Sequence, residues 1–333
     1  MADQAVVVGI QHYPGMSDLQ GPCNDAILFR DWLIDPNGGA LDPQNVGLSL
    51  TTDYPVPANL NDARPVLSDL ETLFRPLITQ AAQAHHQTGR LFIYVAGHGF
   101  ADPRNTNSAA LFTANAEILF PLHLAVMHYV NFLQRTWAFD ELIVVMDSCR
   151  TTTPLNDIST PALPNVASST NAHKVKVFTG FGAGYGQVSR ERPFSGNHHG
   201  IFTMTLINAL KNASPNRLGR VTGSSIKSYI HNNIGKFAGD VEIAPPDINV
   251  DQDKDVLFVA RDAVTTDVVF EISPELHNKE LIVAFGGHTE VFHEIVTSSP
   301  LSIPLEPGLY KAYIEGTTTS STFEVPRDGN INL

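Results

Sequence analysis

Two short apolar runs, each ending in a reactive side chain, constrain this chain more than any other feature. Leu91-Phe-Ile-Tyr-Val-Ala96 leads into Gly97-His-Gly99, and Glu141-Leu-Ile-Val-Val-Met146 leads into Asp147-Ser-Cys-Arg150. Each run is short, β-branched and aromatic, with no period of its own, which is the pattern of a strand buried on both faces. Such strands belong to open parallel sheets, whose sites gather just beyond the carboxyl ends of the strands. If these two are parallel neighbours, the His98 imidazole and the Cys149 thiol meet at one sheet edge, the apparatus of a cysteine hydrolase.

The surrounding segments fit such a sheet. Strands are predicted over residues 6–10, 46–50, 91–96, 142–146, 174–178 and 255–259, and helices over 24–33, 65–86, 122–134, 201–211 and 224–234. Asn24 is the expected N-cap of the first helix. This alternation argues an α/β fold, a mostly parallel sheet flanked by helices. From about residue 265 the pattern changes to six short alternating runs separated by turn residues such as Gly286-Gly287 and Pro307-Gly308, which predicts a small all-β sandwich. The expected division is therefore an α/β domain over 1–262 and a β domain over 263–333. Between Thr151 and His173 lies a Thr/Ser/Asn/Pro-rich stretch without Lys or Arg, read as a long loop starting two residues beyond Cys149.

Bulk properties narrow the class. The net charge of −13, from 34 acidic against 21 basic residues, disfavours nucleic acid as a partner and suits a basic ligand. No Lys precedes Lys174. Two cysteines, Cys23 and Cys149, make neither a disulfide framework nor a structural zinc site. The amino terminus lacks a basic n-region, and no apolar stretch is long enough to span a bilayer, so the expectation is a cytoplasmic protein without a membrane partner.

The motifs then identify a family resemblance. Gly9-Ile-Gln-His-Tyr-Pro14 with Leu19-Gln-Gly-Pro-Cys-Asn-Asp-Ala26, then Tyr94-Val-Ala-Gly-His-Gly99, Asp147-Ser-Cys-Arg150, Gln187-Val-Ser-Arg-Glu191 and Gly200-Ile-Phe-Thr203 resemble, in order, the landmarks of caspase-like cysteine proteases of the peptidase C14 type. Within these the chain is most similar to metacaspases and their bacterial relatives. His98 and Cys149 are 51 residues apart, close to the roughly 50 of caspases. Arg150-Thr-Thr152 stands where metacaspases usually continue His-Ser-Gly.

The resemblance implies roles for particular residues. Cys149 would be the nucleophile and His98 the general base and acid. The backbone N–H groups of Gly99 and Cys149 would form the oxyanion hole. Asp25 and Asp147 match the two carboxylates that line the metacaspase primary (S1) pocket and hold Arg or Lys. Leu19 stands where aspartate-cutting caspases carry an Arg. Gln187 and Glu191 are candidate supports of that pocket. An enzyme cutting after basic residues could not cut inside the basic-free loop, so activation is expected either by another protease within 151–173 or by autocleavage near Lys174 or Lys176. The resemblance associates this plan with stress, cell-death and anti-phage pathways and leaves calcium dependence open.

Other motifs carry less. Cys23 reads as structural. Gly180-Phe-Gly-Ala-Gly-Tyr-Gly186 is not followed by a helix and the spaced acid of a dinucleotide site, and reads as a substrate-binding loop. His85-His86 and His198-His199 are adjacent pairs that point apart, and the Asp251/Asp253/Asp255 cluster lacks a glycine turn, so neither predicts a metal site. No cofactor is expected. The alternative function is a catalytically silent caspase-like scaffold whose β-sandwich binds a partner.

Overall fold

The computed structural model describes residues 3–83, 86–152, 157–216, 219–251, 254–260, 265–286, 289–306, 308–325 and 330–333. The chain divides into two compact units: Met1–Ala213 with Thr222–Phe258, and Ser214–Val221 with Val259–Leu333.

The first unit is built on a six-stranded sheet of β1 (Gln4–Gly9), β2 (Val46–Leu50), β3 (Gln87–Ala96), β4 (Phe139–Asp147), β5 (Lys176–Phe181) and β6 (Asp247–Val250), in the order β6-β5-β4-β3-β1-β2. All neighbours are parallel except β6, which runs antiparallel to β5. Among the described residues five helices accompany it: α1 (Pro22–Ile34), α2 (Leu67–Ala82), α3 (Val126–Arg135), α4 (Ile201–Asn212) and α5 (Gly223–Ala238). Alternate strand residues serve opposite faces. Val6, Val8, Ile93, Val95, Val144 and Met146 share a core with Leu70, Phe74 and Leu77 of α2 and Val130 and Leu133 of α3. On the other face Tyr94 stacks on Phe29 of α1 with ring centroids 4.6 Å apart, and Phe92 meets Trp32 edge-on. Both faces of β3 and β4 are thus covered, which is why their sequences show no alternation.

Three expectations need correction. The strand over 255–259 is observed as Leu257–Ala260 and pairs with Arg220–Thr222, while the last strand of the central sheet is β6. The sequence Asp247-Ile-Asn-Val250 alternates polar and apolar residues, as an edge strand does, and lacks the run that marks a buried one. Asn24 is not the N-cap of α1: Gly21 occupies that position and Pro22 starts the helix, its fixed φ suited to the first turn. The helix expected over 122–134 begins at Val126, because His123–Leu124 forms a short strand on Asn105–Phe112.

The second unit is a β-sandwich. Leu301–Leu305, Thr266–Glu271 and Asn330–Asn332 form one sheet, and Thr289–Ile295, Glu280–Phe285, Gly308–Ile314 and Ser320–Val325 form the other. Their inward residues, among them Val268, Phe270, Leu281, Val283, Ile303, Ala312 and Phe323, make one core. Among the described residues, no helix of the chain is long and apolar enough to cross a membrane.

Candidate active site

The register of β3 against β4 builds the site. Ala96 pairs with Asp147, so His98 and Cys149 each lie two residues beyond a matched pair on adjacent parallel strands. Gly97 makes the exit from β3: its φ is +153°, and a Cβ there would stand 2.5 Å from Tyr13 Oη. His98, Cys149, Asp25, Asp147, Leu19 and Glu191 all line one cleft of about 260 Å³.

His98 is held on two sides. Its Nε2 lies 2.7 Å from the Ser17 carbonyl oxygen. A carbonyl only accepts, so Nε2 carries the proton and Nδ1 is the basic nitrogen. Its backbone N–H donates to Tyr13 Oη at 3.0 Å, and the two rings pack with centroids 4.8 Å apart. Tyr13 is fully buried, and burial pushes its hydroxyl well above the ordinary phenol range, so it stays a neutral partner. Tyr13→Phe is expected to leave the His98 N–H unpaired, at a cost of about 1–3 kcal/mol. Thermal melting and kcat measured together would check this; no change in either would show the hydroxyl to be dispensable.

Cys149 is partly buried, its Sγ 3.9 Å from the Ser189 carbonyl oxygen. Burial pushes its thiol up, opposed in part by the Ser189 backbone and then by Arg190, while the nearby Asp147 carboxylate adds to the rise. The resting group is therefore a neutral thiol that needs a base. Gly99 is buried, and a Cβ there would stand 2.6 Å from Ser148 Oγ and 2.9 Å from the Ala110 carbonyl oxygen, so glycine lets the two strand exits approach.

Behind the thiol, Arg150 is fully buried. Its Nη1 is 2.6 Å from Asp247 Oδ2 on β6, its Nη2 donates to the Thr106 carbonyl, and its guanidinium lies 4.0 Å over the Phe181 ring. The Arg150 N–H donates to the Gln187 carbonyl and its own carbonyl accepts from Gly186. Gln187 itself is exposed and acts here through its backbone.

The two aspartates converge. Asp25, in the first turn of α1, accepts from His199 Nδ1 at 2.8 Å and from Gly200 N at 2.8 Å. Asp147 accepts from Ser189 Oγ at 2.6 Å, and from Thr203 N and Oγ1 at 3.1 and 2.7 Å. Tyr94 then donates to Thr203 Oγ1 at 2.6 Å. Gly200 sits between the carboxylates: a Cβ there would overlap Asp147 Oδ2 and lie 3.1 Å from Asp25 Oδ2. Burial raises both acids, Asp25 to about 7, and Asp147 adds to the rise of Asp25. Glu191 accepts from Gln20 N and Gly21 N, the latter at 2.7 Å, and so caps α1 from a distant segment.

The remaining candidates lie elsewhere. Cys23 is buried, its Sγ 3.3 Å from the Gly9 carbonyl. Lys176 lies inside β5 with Nζ 2.9 Å from Glu141 Oε1, whereas Lys174 is exposed just before it. Of the loop, Thr153–Asn156 fall outside the described residues; the rest is anchored by Ser159 N to His123 Nε2 (2.9 Å), Ser169 N to the Arg135 carbonyl (2.7 Å) and burial of Ile158. Asp255 accepts from Ser224 N at the start of α5, and Asp253 and His85 lie outside the described residues. Tyr13, Ser189 and Thr203 were not singled out from sequence, although each lies in a quoted motif, and His199, weighed there only as half of a metal-binding pair, is instead the partner of Asp25.

A sheet, a strand-end thiol and imidazole, and an acidic cleft define the class of protein. Residues 2–224 match the caspase domain of peptidase family C14, and the chain belongs to that family. A protein of a Desulfuromonadales bacterium described as a probable protease is 27% identical over 159 residues, 45% of this chain and 18% of that protein. The chain thus matches less than a fifth of that relative's length. A crystal structure of a Geobacter sulfurreducens protein is similar with a TM-score of 0.45 and 15% identity, over 79% of this chain and 98% of that one.

Proposed function

We propose that this protein is a cysteine endopeptidase that cleaves after arginine or lysine. One observation carries the reading: Asp25 and Asp147 converge on Gly200 inside the cleft that His98 and Cys149 also line. Two buried carboxylates side by side call for a cationic partner, and a guanidinium fork can bridge both.

The chemistry follows from the placement. His98 Nδ1 takes the Cys149 proton, and the thiolate attacks the scissile carbonyl carbon. The oxyanion is received by the Gly99 and Cys149 N–H groups. His98 returns the proton to the leaving amine, and water, activated by the same imidazole, hydrolyses the thioester. None of these steps calls for a metal.

Latency is part of the proposal. The loop that follows Cys149 is tied to His123 and Arg135, so cutting it would free the segment behind the nucleophile. Exposed Lys174 is a more accessible margin for autocleavage than Lys176, whose ammonium is paired within the sheet. Mass spectrometry of active protein would identify the cut, and a fully active uncut chain would remove this part.

The test of the function is cleavage of an arginine-terminated fluorogenic peptide. Wild type is expected to release the fluorophore and Cys149→Ala to abolish release. Equal cleavage after aspartate would overturn the specificity, and retained turnover in Cys149→Ala would overturn the mechanism.

A further inference from the structure

We propose that His199 sets the charge of the arginine pocket, acting through Asp25 as a positioning and specificity-determining residue. The proposal rests on the reading of Asp25 and Asp147 as the pocket for a basic side chain.

His199 plays no part in the acyl-transfer steps, yet it is buried against the carboxylate. Its Nδ1 faces Asp25 Oδ1, and the next residue supplies Gly200 N to Oδ2, both at 2.8 Å. Two consecutive residues of one strand, Asn197–Gly200, therefore fix both oxygens of Asp25. An ionised carboxylate accepts both bonds, whereas a protonated one would turn an O–H towards one of these donors. The pair thus selects the ionised form of Asp25.

The groups around the pair work in opposite directions. Burial favours the protonated form of Asp25, and Asp147 of β4, approaching across Gly200, adds to it. Tyr94 of β3 is neutral and turned to Thr203. Glu191 and Arg190 line the same cleft. Arg192, cross-strand from His199, is engaged by the Phe237 and Ala238 carbonyls, and the Phe194 ring lies 6.4 Å from the imidazole. His199 touches Asp25 directly and can carry positive charge. With it in place Asp25 titrates near 7.

Asp25 is protonated below its titration point and ionised above it, so affinity for a basic side chain rises as pH passes about 7. Without His199 the rise moves to higher pH, and at neutral pH the pocket carries less negative charge.

The experiment uses the full chain and two acyl peptides, ending in arginine or in its neutral isostere citrulline, over a range of pH. His199→Leu is expected to move the pH midpoint of KM for the arginyl peptide up by about one unit. At pH 7, KM should rise about fivefold and the arginine-over-citrulline ratio fall by about the same factor, with kcat preserved. His199→Gln keeps a donor but cannot become cationic, so it should shift the midpoint in the same direction by less. If His199→Leu does not fold, the Gln profile decides. Midpoints unmoved in the folded variants would overturn the role of His199. A wild type indifferent between arginine and citrulline at every pH would instead remove the pocket reading, and this proposal with it.

Discussion

Asp147→Asn is expected to lower kcat/KM for an arginyl peptide by about 2–5 kcal/mol, roughly thirty-fold to several thousand-fold. The substitution is mild for the fold. Asparagine Oδ1 can still accept from Thr203 N and Oγ1, and the Ser189 hydroxyl can reverse to accept from the new amide. What it removes is the charge opposite a buried guanidinium, whose desolvation is then uncompensated. Asp25→Asn should act in the same direction. Circular dichroism would show the fold intact, and kinetics with arginyl and aspartyl peptides would show the loss confined to the basic substrate. An Asp147→Asn protein with wild-type kcat/KM would take the carboxylate out of the pocket.

Arg150→Met is expected to cost about 3 kcal/mol, lowering the melting temperature of the α/β unit by roughly 6–12 °C. The side chain is fully buried and ties the segment after Cys149 to β6, the Asn105–Phe112 strand and the end of β5. Removing it strands the Thr106 carbonyl and takes the cationic partner from Asp247, which keeps the Asn249 amide. That aspartate is 37% exposed, so water can take over part of its solvation, and this places the cost at the low end for a broken buried pair. Methionine fills much of the volume, which separates the loss of charge from the loss of packing. Arg150→Lys should fall between, since one ammonium cannot span the two acceptors. Calorimetry of the three proteins would decide, and an unchanged transition in Arg150→Met would show the guanidinium to be a passenger.

The elements that sequence reading captured share a physical cause. The cores of β3 and β4, Leu91–Ala96 and Glu141–Asp147, are covered on both faces, so burial is written into each of these residues. α2 shows its buried stripe at Leu70, Phe74, Leu77 and Ile78, a helical period. Elements whose partners are tertiary were harder to read. The Gly99–Asp102 and Asn105–Phe112 hairpin and the Glu191–Phe194 and Asn197–Gly200 ribbon are short and partly polar, and they exist because one strand completes the other. β6 is an edge strand whose acidic start is explained by a buried arginine 97 residues away in sequence.

The site divides along the same line. His98, Asp147 and Cys149 were legible because each stands at or within two residues of a strand end: the chain carries them to the sheet edge, and the parallel register does the rest. Asp25 was reached only through the family resemblance; a lone acid in the first turn of a helix does not mark a pocket. By itself the sequence determined the α/β sheet, the strand-end thiol and imidazole, and an excess of acid. Only the tertiary structure decided that Ser17 directs the imidazole, that Glu191 caps α1, and that His199 and Gly200 hold Asp25. These contacts join residues 81 to 175 positions apart. No local propensity encodes such a pairing; it appears when packing closes the distance and burial makes each unpaired polar group costly.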